Sequence, residues 1–179
     1  MAVELDAEHY EALGRLAAAA AHLESVVENF TMDAITPDTE VAVRVVSGMP
    51  FDRRVSLLSQ LLETRLGVGH EDLKLVQTLL DNAKKAMQTR NRYLHGLWAL
   101  NRDAETQVRN RVRKTGRFES LDVSASDVRH EADAITSIAV ELELEYLDVL
   151  VDLGVYEPIE AGVLRRRQPY RPDLRSNGV

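Results

Sequence analysis

The chain has 179 residues, a length that suits one domain with a sizeable core, and its 45% hydrophobic and 28% charged residues describe a soluble globular protein rather than a disordered one. It has no cysteine, which excludes a disulfide framework, a Cys-ligated zinc and a thiol nucleophile, and its 29 acidic against 22 basic residues leave a net charge of −7. No apolar run approaches the roughly 20 residues that span a bilayer. The acidic start MAVELDAEHY lacks the basic block and apolar stretch of a signal peptide, so the expected setting is cytoplasmic, with no membrane partner.

The first predicted helix runs from Ala7 to Phe30, with Asp6 as its N-cap. Its apolar stripe is Tyr10, Leu13, Ala17, Ala20, Val27 and Phe30, flanked by Leu16, Leu23 and Val26. Gly14 and the run Ala17 to Ala21 are too small to fill space, which points to close packing of another helix, in this chain or a second copy. Thr36-Pro37 reads as a cap followed by proline at the first helical position. A short helix to Ser47 follows, although the β-branched VAVRVV also suits a strand. Residues 51–66 place Phe51, Val55, Leu58, Leu62 and Leu66 on one side and end at Gly67. The next helix runs from Glu71 to His95, with Leu75, Leu79, Ala83, Ala86 and Leu94 pointing inward and Gly96 as its terminator.

Helical periodicity stops at Leu97. The stretches LWAL, TQVRNRVRK and GRFESLDV, with turn residues at 101–105 and at Thr115-Gly116, predict a small β-hairpin insertion over 97–121. The last helix starts near Ser124 or Ser126 and runs to Leu153. Val128, Ala132, Ile135, Ile138, Ala139, Leu142, Tyr146, Val149 and Leu153 mark its buried face, and Gly154 closes it. From Glu157 onward, three prolines and five arginines predict a flexible tail. The expected fold is therefore all-α: one domain over 1–156, a bundle of four to five helices with a hairpin inserted before the last.

The acidic total hides a polarised distribution. Between Lys84 and Arg117 ten Lys/Arg face only Asp103 and Glu105, and from Arg165 onward five arginines face Asp173. A chain polarised in this way can offer a basic region to a polyanion. On a strand, Arg109, Arg111 and Arg113 line one face, with Lys114 and Arg117 close by. Such a ribbon suits phosphate contacts without sequence readout, and it equally suits a charged edge that resists aggregation. Trp98 is expected to pack at the base of the hairpin. The five histidines are scattered, neither His70-Glu71-Asp72 nor His130-Glu131 has a second histidine nearby at ligand spacing, and no P-loop, G-x-G-x-x-G or G-x-S-x-G motif is present, so neither metal nor cofactor is expected.

One string carries chemistry: Thr89-Arg90-Asn91-Arg92-Tyr93-Leu94-His95-Gly96. Three arginine–histidine pairs have a spacing of four to six intervening residues: Arg15 with His22, Arg65 with His70, and Arg90 with His95. Arg90 with His95 alone has a polar residue directly after the arginine and lies at the end of a long helix. This pattern resembles the HEPN superfamily, small all-helical domains, often dimeric, whose signature is R-x(4–6)-H and many of which are ribonucleases of toxin–antitoxin and phage-defence systems. The order of parts over roughly residues 7–153 is similar too.

The resemblance implies a homodimeric, metal-independent endoribonuclease leaving 2′,3′-cyclic phosphate ends, with RNA as substrate and an antitoxin or regulatory protein as a further partner. Arg90 and His95 would be its centre and Asn91 would orient them; Arg92, Arg109, Arg111, Arg113, Lys114 and Arg117 would help hold RNA. An imidazole suits proton transfer near neutral pH, and a guanidinium fork suits charge building on phosphorus. The chain departs from the subgroup paired with nucleotidyltransferase antitoxins, whose tyrosine two residues after the histidine is here Leu97. The competing expectation is a non-catalytic helical dimer or adaptor, in which Arg90 and His95 cap helix carbonyls and pair with neighbouring acids.

Overall fold

The computed structural model describes residues 4–36, 38–103, 105–112, 115–160 and 163–166. The fold is mostly helical: α1 (Ala7–Ile35), α2 (Thr39–Val46), α3 (Phe51–Leu66), α4 (Glu71–His95) and α5 (Ala125–Asp152). Between α4 and α5 stand β1 (Leu97–Leu100), β2 (Thr106–Arg111) and β3 (Phe118–Asp122), and α5 is followed by β4 (Tyr156–Glu160) and β5 (Val163–Arg166). The insertion is thus a three-stranded antiparallel sheet in the order β1-β2-β3, larger than the expected hairpin. Val108 on the central strand is buried, opposite Trp98 on one side and Leu121 on the other, so all three stretches are drawn into one sheet.

The chain divides into two compact units, one formed by residues 1–26 and 76–143, the other by 27–75 and 144–179. In the first unit, Ala12, Leu16, Ala20 and Leu23 of α1 are fully buried, as are Val76 and Ala83 of α4 and Val128, Ile135, Ala139 and Leu142 of α5. Of the expected stripe of α1, Ala20, Val27 and Phe30 are fully buried together with the flanking Leu16 and Leu23, whereas Tyr10 is 57% exposed. Beyond its own helix turn, no described atom comes within 4 Å of where a side chain on Gly14 would begin, so the close packing expected along that seam is absent at Gly14, whereas Ala20 of the same seam is fully buried. Leu75 is likewise exposed, and Val76 and Leu79 take the inward positions.

Asp6 caps α1, accepting from the His9 backbone N–H at 2.9 Å and from the His9 imidazole Nδ1 at 2.8 Å. The Asp6 carboxyl is held below its usual range by these bonds, the backbone donor first. At α5 the cap is reciprocal: the Asp127 N–H donates to Ser124 Oγ at 3.1 Å, and the Ser124 N–H donates to the Asp127 carboxylate at 2.8 Å.

In the second unit, Val27, Phe30 and Ala34 of α1 are buried, with Val55, Leu58 and Leu62 of α3 and Val149 and Leu150 of α5. Continued burial through Ala34 explains why α1 runs five residues past Phe30. The cap of α2 is consequently Asp38, not Thr36: its carboxylate accepts from the N–H groups of Glu40 and Val41. The Thr36 hydroxyl instead accepts from the Asp38 N–H at 3.2 Å, and Pro37 lies outside the described residues. Helix wins over strand here because Ala42 and Val46, four apart, are the buried positions. The Tyr146 hydroxyl donates to the buried Asp33 carboxylate, and Arg54 pairs with Glu28. Gly154, at φ 68°, ends α5 with a paired cap in which the N–H groups of Gly154 and Val155 reach the carbonyls of Val151 and Leu150 at 2.9 Å each. The chain then pairs β4 with β5 where a flexible tail was expected from Glu157; residues 167–179 lie outside the described part.

Candidate functional site

Arg90, Asn91 and His95 lie in the last turns of α4. Asn91 and His95 are four residues apart, roughly 40° around the helix, whereas Arg90 lies about 140° from His95. The Arg90 guanidinium reaches its neighbour: Nη1 donates to Asn91 Oδ1 at 2.8 Å. Its Nε is buried and has no hydrogen-bond partner among the described residues. No carboxylate among the described residues pairs with Arg90. His95 and Arg92 are exposed, and neither side chain makes a hydrogen bond or ion pair to a described residue.

The end of α4 is closed by other groups. The Trp98 indole Nε1–H donates to the Tyr93 carbonyl at 2.9 Å, and the Gly96 N–H donates to the Arg92 carbonyl at 3.0 Å. The capping task that an arginine or histidine often performs in a last turn therefore falls to Trp98. Trp98 itself is half-buried, its ring meeting His9 edge-on with centroids 5.8 Å apart, which agrees with packing at the base of the sheet.

Gly96 serves a different purpose from the expected one. It is not among the glycines with positive φ. A side chain there would begin 2.3 Å from Val108 Cγ1 and 2.4 Å from the Arg92 carbonyl oxygen. Glycine is required because β2 approaches the helix end closely.

Tyr93, between the motif residues, is buried. Its hydroxyl pKa is pushed above the ordinary phenol value by burial first, then by the charges of Glu131 and Asp127. Burial likewise raises the carboxyl of Glu131, against the opposing influence of His130.

The basic ribbon follows directly from the motif helix. Leu97, two residues beyond His95, pairs with Arg109, so β2 begins its basic stretch beside the end of α4. Arg109 and Arg111 share the face of β2 opposite to Val108. Arg109 lies 5.3 Å above the Phe118 ring, a cation–π contact that holds it against the sheet. Arg111 and Arg117 are exposed, and Arg113 and Lys114 lie outside the described residues.

Of the other two arginine–histidine pairs, Arg15, His22 and Arg65 are engaged elsewhere. Arg15 bonds Glu11 at 2.7 Å, His22 lies 3.1 Å from Glu143, and Arg65 donates to the Ile35 carbonyl at 2.9 Å. Reading by sequence missed the roles of Trp98 and Glu131. The tryptophan's isolation three residues after His95 was a usable signal, whereas nothing local marks Glu131 as half-buried. Compared with protein families, curated proteins and solved structures, the chain shows no match.

Proposed function

We propose that this chain is a HEPN-like, metal-independent endoribonuclease, a homodimer of the toxin or phage-defence kind that cleaves RNA to 2′,3′-cyclic phosphate ends. The observation that carries the reading is the state of the motif: Trp98 closes the helix end, leaving the His95 side chain exposed without a described partner and Arg90 free of any described carboxylate. A ground-state structural role for both residues predicts the opposite. In this reading the Arg90 fork neutralises charge on the scissile phosphate. Asn91 orients that fork through its 2.8 Å bond. His95, in the last turn of α4, delivers a proton to the leaving 5′-oxygen. A second copy of the motif would supply the base. Arg92, Arg109, Arg111 and Arg117, with Arg113 and Lys114, would hold the RNA backbone, and an antitoxin or regulatory protein would cover the motif.

The reading is tested by incubating a mixed RNA pool with the protein in excess chelator, wild type against His95→Ala of equal folded content. The variant is expected to lose about 10²-fold or more of the cleavage rate, with cyclic-phosphate ends in the wild-type products only. Equal rates would remove His95 from the chemistry. A second reading, a non-catalytic helical dimer or adaptor, draws support from Val140, Leu144 and Leu147, which are exposed at helical spacing on α5. It becomes the preferred one if neither protein cleaves.

A further inference from the structure

His70, Asp72 and Asp152 belong to one unit and come from chain segments 80 residues apart, the approach to α4 and the end of α5. Each offers one ligand atom, and the three atoms lie within 4.8 Å of one another. We propose that they form a binding site for a divalent first-row transition ion, such as Zn²⁺, with His70 Nδ1 and the two aspartates as its protein ligands. This is independent of the Arg90–His95 reading.

Three observations converge on it. First, His70 Nδ1 is buried and has no hydrogen-bond partner among the described residues, an unusual state for an imidazole nitrogen. Second, its nearest acidic neighbour, Asp72 Oδ2, is 3.5 Å away. That is too long for the charge-assisted N–H···O bond of about 2.8 Å that a simple ion pair would form. Two electron-pair donors held at this separation suit a shared cation. Third, Asp152 is the final residue of α5, whose last turn contains no basic side chain. A carboxylate at the negative end of a helix dipole is unfavourable by itself and is compensated by a bound cation.

The donor chemistry selects the ion class. One imidazole nitrogen and two carboxylates suit zinc, and also manganese or iron, more than the all-oxygen shells of calcium or magnesium. Ligand atoms around zinc stand roughly 3.4 Å apart. The present maximum of 4.8 Å therefore closes by about 1.4 Å, a distance that rotation of the incompletely buried aspartates supplies. Three protein ligands leave a coordination position for water. The ion would cross-link the start of α4 to the end of α5, and because it binds only the folded chain it would raise stability.

The test is calorimetric titration of the chelator-stripped full chain with ZnCl₂ at pH 7, with thermal denaturation read in parallel. One saturable equivalent per chain and a higher melting temperature are expected. His70→Ala and Asp152→Asn should each weaken binding by at least about tenfold, the loss that even outer partners of a metal cause, while His22→Ala should bind as wild type. Absence of saturable binding, or binding untouched in His70→Ala, would overturn the site. Should either variant fold poorly, Co²⁺ added to wild type decides: the paramagnetic shift must fall on the His70 ring resonances, and a shift confined to another histidine rejects the proposal.

Discussion

Replacing Gly96 by alanine tests how the motif helix is seated on the sheet. The added methyl would start 2.3 Å from Val108 Cγ1, 2.4 Å from the Arg92 carbonyl oxygen and 3.1 Å from Asn110 Oδ1. Carbon atoms in contact prefer about 3.5 Å or more, so the clash with Val108 alone demands a shift of roughly 1.2 Å. The carbonyl is constrained as well, since it accepts the Gly96 N–H at 3.0 Å. Overpacking of this kind costs up to about 3 kcal/mol. Loss of glycine's freedom in the unfolded chain returns about 0.4–1 kcal/mol. The expected net destabilisation is about 2 kcal/mol, or about 4–8 °C in melting temperature for a chain of this size. Urea denaturation of four proteins measures it: wild type, Gly96→Ala, Val108→Ala and the double variant. Val108 is 1% exposed, and truncating it alone leaves a cavity. In the Gly96→Ala background the new methyl fills that space. The two changes should therefore couple favourably by about 1 kcal/mol, above the ~0.5 kcal/mol scatter of independent sites. A neutral Gly96→Ala, or strict additivity of the pair, would refute the close approach as the reason for glycine.

Trp98→Phe keeps an aromatic ring beside His9 but removes the donor to the Tyr93 carbonyl. A loss of about 1 kcal/mol in urea denaturation is expected, and an unchanged midpoint would mean that water caps the helix equally well. Glu131→Gln should stabilise the protein at pH 7. Burial raises the Glu131 carboxyl above the ordinary value of a glutamate, so the folded state holds that proton more tightly than the unfolded one. Its favourable contribution is complete below the unfolded pKa and is lost as pH rises through the folded value. The advantage of glutamine must therefore vanish in acid; an advantage equal at pH 4 and pH 7 would assign it to something other than ionisation.

The helices were legible where local chemistry sets them. Residues 51–66 and 71–95 match α3 and α4 in their bounds, because glycine pairs and clean apolar spacing frame them. The phase of α1 was harder. In a run of five alanines two neighbouring stripes have the same spacing and little difference in hydrophobicity, and only the burial of Leu16 and Leu23 separates them. Three β stretches were visible in the insertion, but not their union into one sheet. That union depends on Val108 meeting Trp98 and Leu121 together, a tertiary condition.

The motif sets the same limit more sharply. Spacing admits three arginine–histidine pairs, and spacing cannot tell which side chains are already engaged. His22 finds its acid 121 residues along the chain, and Arg65 finds a carbonyl 30 residues back. Arg90 and His95 stand apart because the helix end that would otherwise recruit them is closed by Trp98, and because Gly96 lets β2 approach without displacing the preceding turn. The availability of the pair is therefore a property of its two successors, Gly96 and Trp98, as much as of the motif. A glycine and, two residues later, an indole donor after an R-x(4–6)-H string carry information that the string lacks: they provide for the helix terminus without using the Arg90 and His95 side chains.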